Sequence, residues 1–425
     1  MKIYFSGIGG VGIGPLAEIA SDAGHQVIGS DMSAGLMSEQ LESRGIRIYY
    51  EQSGDSLRQE HTREPIDLFV HTAALPPDHP ELAAADKLGI KIAKRDELMN
   101  QIITERNLKL IAVAGTHGKT TTTGLLVWVM QQLGLPVSYL VGTTLSFGPS
   151  GQFDPKSEYF VYECDEFDRN FLKFKPSLSI ITALDYDHPD TYPTPEDYRA
   201  AFVEFMEQSD FSLIWQKDLR FLKHPDIPAS YEAYDELMDL SHISLPGQHV
   251  RQNAFLVEQA TRKIFYGISD EKLLRAINSF PGTARRFEKL CDHLYTDYGH
   301  HPNEIAAILQ LSRELSDHVV LVYQPHQNRR QHEVRDQYTD ELFKNADEIY
   351  WLPTYLSREN QDLEILSPEI LTGNIAEKDK IQIADMDDQL AEYIRGHLDS
   401  GHLVVAMGAG SIDKWARDNL QKFKA

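Results

Sequence analysis

The sequence predicts an α/β protein of three domains, each built on a mostly parallel sheet. Three observations predict it. Short apolar runs alternate with helix-length segments along the whole 425-residue chain. Three of those runs end in glycine turns that open onto a helix, at Gly7–Gly12, Gly115–Gly118 and 408-GAG-410. Two irregular stretches, 104-TERN-107 and the region near 280-FPGTARRFE-288, interrupt the alternation and mark boundaries. The expected domains are therefore 1–105, 106–280 and 281–425.

Bulk properties limit the function. The formal net charge of −23 argues against a general polyanion binder, because nucleic-acid affinity rests on Lys and Arg neutralising phosphates. A small anionic ligand needs only local donors and stays open. The two cysteines, Cys164 and Cys291, supply no disulfide framework and no metal-ligand spacing, which suits a reducing cytoplasm. The start, MKIYFSGIGG, reads as a first strand rather than a signal peptide. No run approaches the ~18 apolar residues of a membrane span.

In chain order, Ile3–Ser6 is a strand followed by Gly7-Ile8-Gly9-Gly10-Val11-Gly12, a helix over 15–23 and a second strand, 26-QVIGSD-31. That is G-x-G-x-x-G in a βαβ unit, with Asp31 about twenty residues beyond the first glycine. The physical content is a diphosphate seated on a helix N-terminus, which a dinucleotide or a UDP-sugar both offer. Further strands are expected at 46–50, 67–73 and 90–93.

The second domain opens with 110-LIAVAGTHGKTTTTGLLVWVMQQLG-134: buried strand, glycine turn, lysine, hydroxyls, helix. This is the order of parts in a phosphate-binding loop, although Val113 occupies the first glycine position of G-x-x-x-x-G-K-[ST]. Backbone N–H groups of Gly115, Thr116, His117 and Gly118 can face an anion. Lys119 can reach terminal phosphates, and the hydroxyl of Thr120, ahead of Thr121, can ligate magnesium. Two later strands end in acids: 159-YFVYECDEFD-168, with Glu163, Asp165, Glu166 and Asp168, and 178-LSIITALDYDHPD-190, with His188. Carboxylates at strand ends beside a phosphate loop are where a magnesium ligand is expected; the alternative is a solvated acidic loop. Residues 196–209 suit an amphipathic helix. A Pro-Gly turn then feeds a helix that places His249 and Asn253 one turn apart, as ligand contacts or as ordinary N-terminal capping.

The third domain carries Arg285 and Arg286, a pair suited to phosphate recognition or to plain surface charge. A polar loop with Asp297, Tyr298, His300 and His301 follows a strand, and 319-VVLVYQPHQNRR-330 runs into His326, Arg329 and Arg330. Strands near 347–353, 380–385 and 403–407 complete the pattern.

The order of these stations resembles the Mur ligase family, across nearly the whole chain. The carrying pieces are GIGGVG, GTHGKTTTT, ECDEFD, DYDHPDTY, LPGQHVRQNA, ARRFE, TDYGHHPNEI, YQPH and AMGAGSI. The resemblance implies two Rossmann-like domains flanking a central ATPase domain of the P-loop type. It implies ATP and magnesium as cofactors, with UDP-N-acetylmuramate and an amino acid, L-alanine in the most similar branch, as substrates. It implies that Gly9, Gly10, Val11 and Gly12, with Asp31, hold the UDP-sugar, that Gly115–Thr121 hold the ATP phosphates, and that Thr120 and Glu163 ligate one magnesium and His188 a second. Asn253 and His249 would contact adenine, Asp297 the ribose, and Arg286 with Arg285 the γ-phosphate across an interdomain cleft. His300, His301 and Arg330 would lie near the acceptor carboxyl and the amino acid, with His301 suited by pKa to take the amine's proton. The reaction so implied activates a carboxylate as an acyl phosphate, which the amine then attacks, while domain closure excludes water.

Departures from the family pattern bear on the adenine or metal-side contacts and on the amino acid. Val250 stands in 249-HVRQNA-254 where an amide is usual, and Gln327 stands where an arginine for the amino-acid carboxylate is expected. Phe202 occupies the place of the lysine that some relatives carbamylate, which fits the alanine-adding branch. The alternatives are a ligase that attaches a recycled tripeptide to the same sugar nucleotide, a nicotinamide-dependent dehydrogenase, and a non-catalytic muropeptide sensor. The dehydrogenase leaves GTHGKTTTT unexplained; Lys119, Glu163 and His188 argue against the sensor.

Overall fold

The computed structural model describes residues 1–10, 12–72, 75–224, 226–357, 359 and 362–423. Val11, one of the glycine-loop residues expected to hold the sugar nucleotide, lies outside them. Three sheets carry the chain. In the first, the strand order is Arg47–Tyr49, Gln26–Ser30, Lys2–Ser6, Leu68–His71, Lys91–Lys94, all parallel. Its central strand Lys2–Ser6 is buried throughout, as parallel strands covered on both faces are.

The second sheet runs Tyr231–Tyr234, Ser212–Trp215, Leu178–Ile181, Lys109–Ala114, Tyr159–Glu163, Ser138–Leu140, Gly151–Gln152. Only the last pairing is antiparallel. The phosphate loop leaves Lys109–Ala114, a middle strand flanked by the strands that end at Glu163 and Ile181. The sheet therefore delivers both predicted acidic strand ends beside the loop. In the third sheet, Leu403–Met407 and Val319–Tyr323 lie centrally, between Leu294–Asp297 on one side and Glu348–Trp351 on the other.

These sheets fall into two compact units: Met1–Asp239 with Asn253–Phe280, and Leu240–Gln252 with Pro281–Ala425. The first two sheets share one unit because one hydrophobic core runs through both, from Ile3 and Leu16 through Met99 and Ile102 to Leu110 and Tyr162. Helix Arg95–Glu105 supplies much of that continuity by burying Leu98, Met99, Ile102 and Ile103. The stretch 104–107 is correspondingly not an open linker: Thr104 and Glu105 close that helix, and the chain turns at Asn107 with φ 51°. Charge alone hid this, because Thr104, Glu105 and Arg106 lie on its solvated end. Among the described residues no helix is long and apolar enough to cross a membrane.

Candidate active site

In the first sheet, Gly7 adopts φ 74° and its N–H and that of Ile8 both donate to Ser30 O, folding the loop back over the second strand. Gly9 N–H donates to Asp31 Oδ2 at 2.7 Å, so Asp31 braces the glycine turn with one oxygen, while its Oδ1 accepts the N–H of the next residue, Met32, at 2.8 Å. Gly7, Gly9, Gly10, Asp31, Ser38 and Thr72 line a cavity of about 300 Å³. Gly12 sits by the loop's exit, next to the Arg95 guanidinium.

The phosphate loop is strained in the way its glycines permit. Gly115 has φ 138° and Gly118 φ 85°, and Gly118 is the N-cap of helix Lys119–Gln132. A Cβ on Gly115 would stand 2.5 Å from Thr182 Oγ1 and 2.9 Å from Ala183 O; one on Gly118 would stand 2.7 Å from Asn253 Nδ2. Asn253 is buried against the loop, whereas His249, one turn earlier on helix Gln248–Ile264, is half-buried. Thr116 Oγ1 donates to Asp185 O at 2.8 Å, and Thr116 and Tyr198 hydroxyls meet at 2.6 Å. His117 Nε2 lies 3.6 Å from Asp185 Oδ2, and Thr121 is half-buried in the first helical turn.

Lys119 Nζ donates to Gly115 O at 2.6 Å and to both oxygens of Glu166, at 2.8 and 3.1 Å. Burial opposes its charge, but Glu166 and Asp165 outweigh burial and hold the ammonium above the usual lysine range. Burial pushes the Glu166 carboxyl up, with Lys119 pulling it the other way. Thr120 Oγ1 donates to Glu163 Oε1 at 2.8 Å, and Gly142 N–H donates to Glu163 Oε2 at 3.1 Å. His188 adopts φ 59° and turns its Nε2 to 3.7 Å from Glu166 Oε1. Asp165, Glu166 and His188 can each place one ligand atom within 4.8 Å of the others. The Thr120 hydroxyl and the Glu163 carboxylate form an oxygen pair that fits a hard dication such as magnesium.

Glu166 is the residue that sequence reasoning undervalued. It stood among four acids, and spacing could not say that the turn after Glu163 would send this one inward while Asp168, at φ 54°, pairs outward with Lys94 at 2.6 Å. Gly142 carried no signal at all, because its role is a backbone N–H in a loop.

In the other unit, Arg285 and Arg286 both place their guanidinium carbons over the Tyr298 ring, 4.6 and 5.1 Å from its centroid. Arg285 is further tied to Gly408 O and to Asp413, leaving Arg286 the less anchored of the two. Asp297 is buried; its oxygens accept Phe287 N–H at 2.8 Å and Gly299 N–H at 2.6 Å. Burial pushes it up to about 6, against the neighbouring Arg286 charge. Its observed work is to pin the 285–299 loops.

The adjacent histidines differ. His300 Nδ1 lies 3.2 Å from Tyr298 O, so Nδ1 carries the proton and Nε2 the lone pair. Burial takes its pKa down to about 4, Glu304 opposing and Arg330 assisting. His301 is the N-cap of helix Pro302–Leu315, and its Nδ1 accepts Asn303 N–H at 3.4 Å. Arg330 lies on helix Asn328–Val334, whose N-cap Gln327 has φ 62° and donates its N–H to Tyr355 O at 2.9 Å. Gln324 Oε1 accepts Ile412 N–H at 3.0 Å, closing the 408–410 turn against this loop.

Family models match in the same order along the chain: "Mur ligase family, catalytic domain" over residues 2–107, "Mur ligase middle domain" over 113–226 and "Mur ligase, glutamate ligase domain" over 285–410. The UDP-N-acetylmuramate–L-alanine ligase of Fusobacterium nucleatum subsp. nucleatum is 30% identical, with 98% of this chain and 96% of that protein covered. The crystal structure of the UDP-N-acetylmuramate-alanine ligase of Thermotoga maritima superposes with a TM-score of 0.74 at 23% identity, covering 100% and 99% of the two chains. A murein peptide ligase from Psychrobacter arcticus has the same fold at a TM-score of 0.64 and 22% identity, covering 100% and 98%. The chain belongs to the Mur ligase family. It is a three-domain α/β enzyme of the ATP-dependent ligase class.

Proposed function

We propose that the protein joins L-alanine to the carboxylate of UDP-N-acetylmuramate, using ATP and forming an acyl phosphate on the way. The observation that carries the reading is the Lys119–Thr120–Glu163–Glu166 cluster at the mouth of the phosphate loop, in a chain 30% identical to a ligase of that name. A carboxylate is a poor electrophile, and phosphoryl transfer from ATP supplies it with a leaving group. Lys119 lies on the loop that meets the triphosphate, where its held charge stabilises negative charge developing on the transferred group. Thr120 and Glu163 would hold magnesium, which supplies further charge neutralisation on the phosphates. Glu166 keeps Lys119 charged and in place before ATP arrives, and the triphosphate takes over as counter-charge. The Gly9–Gly12 turn braced by Asp31 holds the UDP diphosphate.

In the second unit, Arg286 serves the γ-phosphate and Arg330 the carboxylate of the incoming amino acid. His301, the cap of the next helix, is the candidate to take the ammonium's proton, and His300, which burial makes a weak base, lies beside it. Asp297 pins the loops that carry these residues, and its carboxylate is the candidate contact for the ATP ribose.

Phosphate release from ATP is expected only when UDP-N-acetylmuramate and L-alanine are both present. One feature favours a second reading: Gln327 replaces the arginine expected near the amino-acid carboxylate. Turnover with a tripeptide and none with L-alanine would make the enzyme a murein peptide ligase instead.

A further inference from the structure

At the opposite edge of the third sheet, away from the loops just described, three histidines and a glutamate converge. His318 immediately precedes strand Val319–Tyr323, Glu348 opens strand Glu348–Trp351, and His402 immediately precedes strand Leu403–Met407. Val319–Tyr323 lies between the other two strands, with Val319 paired to Leu403 and Val320 to Glu348. The register therefore brings 318, 348 and 402 together at the N-terminal ends of three adjacent strands. His397, in the last turn of helix Asp388–Asp399, completes the group.

We propose that His318, Glu348, His397 and His402 form a binding site for a zinc-class dication, separate from the magnesium site of the ligase reaction. Each of the four can place one ligand atom within 4.8 Å of the others. His318 Nε2 lies 3.1 Å from Glu348 Oε1, His397 Nε2 3.5 Å from Glu348 Oε2, and His397 Nδ1 3.1 Å from His402 Nδ1. A tetrahedral zinc ion with metal–nitrogen bonds near 2.0–2.1 Å holds neighbouring donors about 3.3 Å apart. The two spacings between ligating atoms, His318 Nε2 to Glu348 Oε1 and His397 Nδ1 to His402 Nδ1, lie close to that value, and the stacked His318 and His402 rings turn apart to close the shell.

The donor chemistry selects the metal. Three imidazoles and one carboxylate suit zinc, nickel or copper, and not magnesium, which takes oxygen donors and keeps much of its water. An outer partner is present too: the Tyr350 hydroxyl lies 2.9 Å from His397 Nε2, able to fix the ring while Nδ1 faces the ion. The His318 and His402 rings stack with centroids 3.7 Å apart, so the two imidazoles already meet at this point of the fold. His318 and Glu348 remain 35% and 42% exposed, giving an ion a path in, while His397 at 13% forms the floor.

The location separates this site from the reaction. Ligands of open parallel sheets bind at the C-terminal strand ends, here near Gln324 and Gly408. The histidine site lies at the other ends, a five-residue strand away, or roughly 16 Å at about 3.3 Å per residue. A bound dication would clamp three strands and one helix of the third domain together, which is a structural role.

The test uses the full-length, untagged protein stripped by chelator and kept in excess Mg2+, which occupies the oxygen sites of the phosphate loop. Zinc titration followed by calorimetry should report one equivalent per chain. Cobalt(II) added in its place should give the intense visible absorption of a tetrahedral site. The double variant His318→Gln/His402→Gln should bind zinc at least about 100-fold more weakly, since losing an outer-sphere partner alone already costs 10–100-fold. Glu348→Gln, which keeps the side chain's shape, is the second variant and should also weaken binding; if the double variant fails to fold, it decides the matter alone. The proposal is overturned if the wild type takes up no stoichiometric zinc, if cobalt gives the weak spectrum of an octahedral ion, or if folded variants bind zinc as tightly as the wild type.

Discussion

Replacing Glu166 by glutamine probes the link between the phosphate loop's stability and its ligand. The side chain keeps its shape, and Lys119 keeps its bond to Gly115 O, but the buried ammonium loses the carboxylate that sits 2.8 Å away. The gross Coulomb term at that distance is about 6 kcal/mol for an effective dielectric of 20. Most of it is offset in the wild type by desolvating two charges. In the variant, Lys119 must either stay charged without its partner or give up its proton. Deprotonation at pH 7.5 from an ordinary lysine pKa near 10.5 costs about 4 kcal/mol, at about 1.4 kcal/mol per unit, and that is the ceiling. Glu163 and Asp165 still favour the charge, and the amide oxygen still accepts one bond, so the expected loss is about 2–4 kcal/mol. The sign with pH is fixed by the raised lysine pKa. Lys119's contribution is complete below the ordinary lysine value and is lost as pH climbs through the raised one, while on the acid side Glu166, pushed up by burial, gives up its charge before an ordinary carboxylate would. The assay is urea denaturation of wild type and variant, with and without saturating Mg-ATP. ATP phosphates replace the carboxylate as counter-charge, so the deficit should shrink beyond the common ligand stabilisation. A loss below about 1 kcal/mol, or one that ATP leaves unchanged, would refute the argument that Glu166 holds a buried charge for the nucleotide.

Three further outcomes follow from the geometry. Lys119→Ala should abolish ATP turnover while UDP-N-acetylmuramate still binds, measured by calorimetry; simultaneous loss of binding would mean the two nucleotide sites are wrongly assigned. Gly115→Ala should cost more stability than Gly118→Ala: the first forces a Cβ to 2.9 Å from a backbone oxygen, the second mainly displaces the Asn253 amide on top of about 1–2 kcal/mol for the left-handed backbone, and thermal melts rank them. His300 should remain a neutral imidazole down to about pH 4 in an NMR titration, so its stabilising contribution is present above the free-histidine value near 6.5 and is lost as pH falls from there toward 4; a midpoint near 6.5 would contradict its burial.

Much of the architecture was legible in one dimension. Apolar runs of strand length ending in glycine turns, as at Leu110–Ala114 and Gly115–Gly118, encode a parallel sheet with ligands at its C-terminal edge whatever the tertiary details. The phosphate loop and the strand ends carrying Glu163 and His188 were read from residue type and spacing, and the order of these stations carried the resemblance to the family. Such features are local: a glycine's freedom at φ 138°, or a lysine at a helix start, is decided within a few residues.

Tertiary structure alone decided which polar groups face one another. Only the sheet order, with Lys109–Ala114 between Tyr159–Glu163 and Leu178–Ile181, puts Glu166 and His188 beside Lys119. Only the packing of helix Arg95–Glu105 merges the first two sheets into one core, where charge had suggested a linker. The oxygens of Asp31 and Asp297 meet the N–H groups of Gly9 and Met32, and of Phe287 and Gly299, contacts that only the folded loops define. The histidines at 318, 397 and 402 carried no motif, because residues so separated in sequence meet only when strand register aligns their ends. Pairing energies depend on distance and burial, and a sequence states neither until the chain has folded.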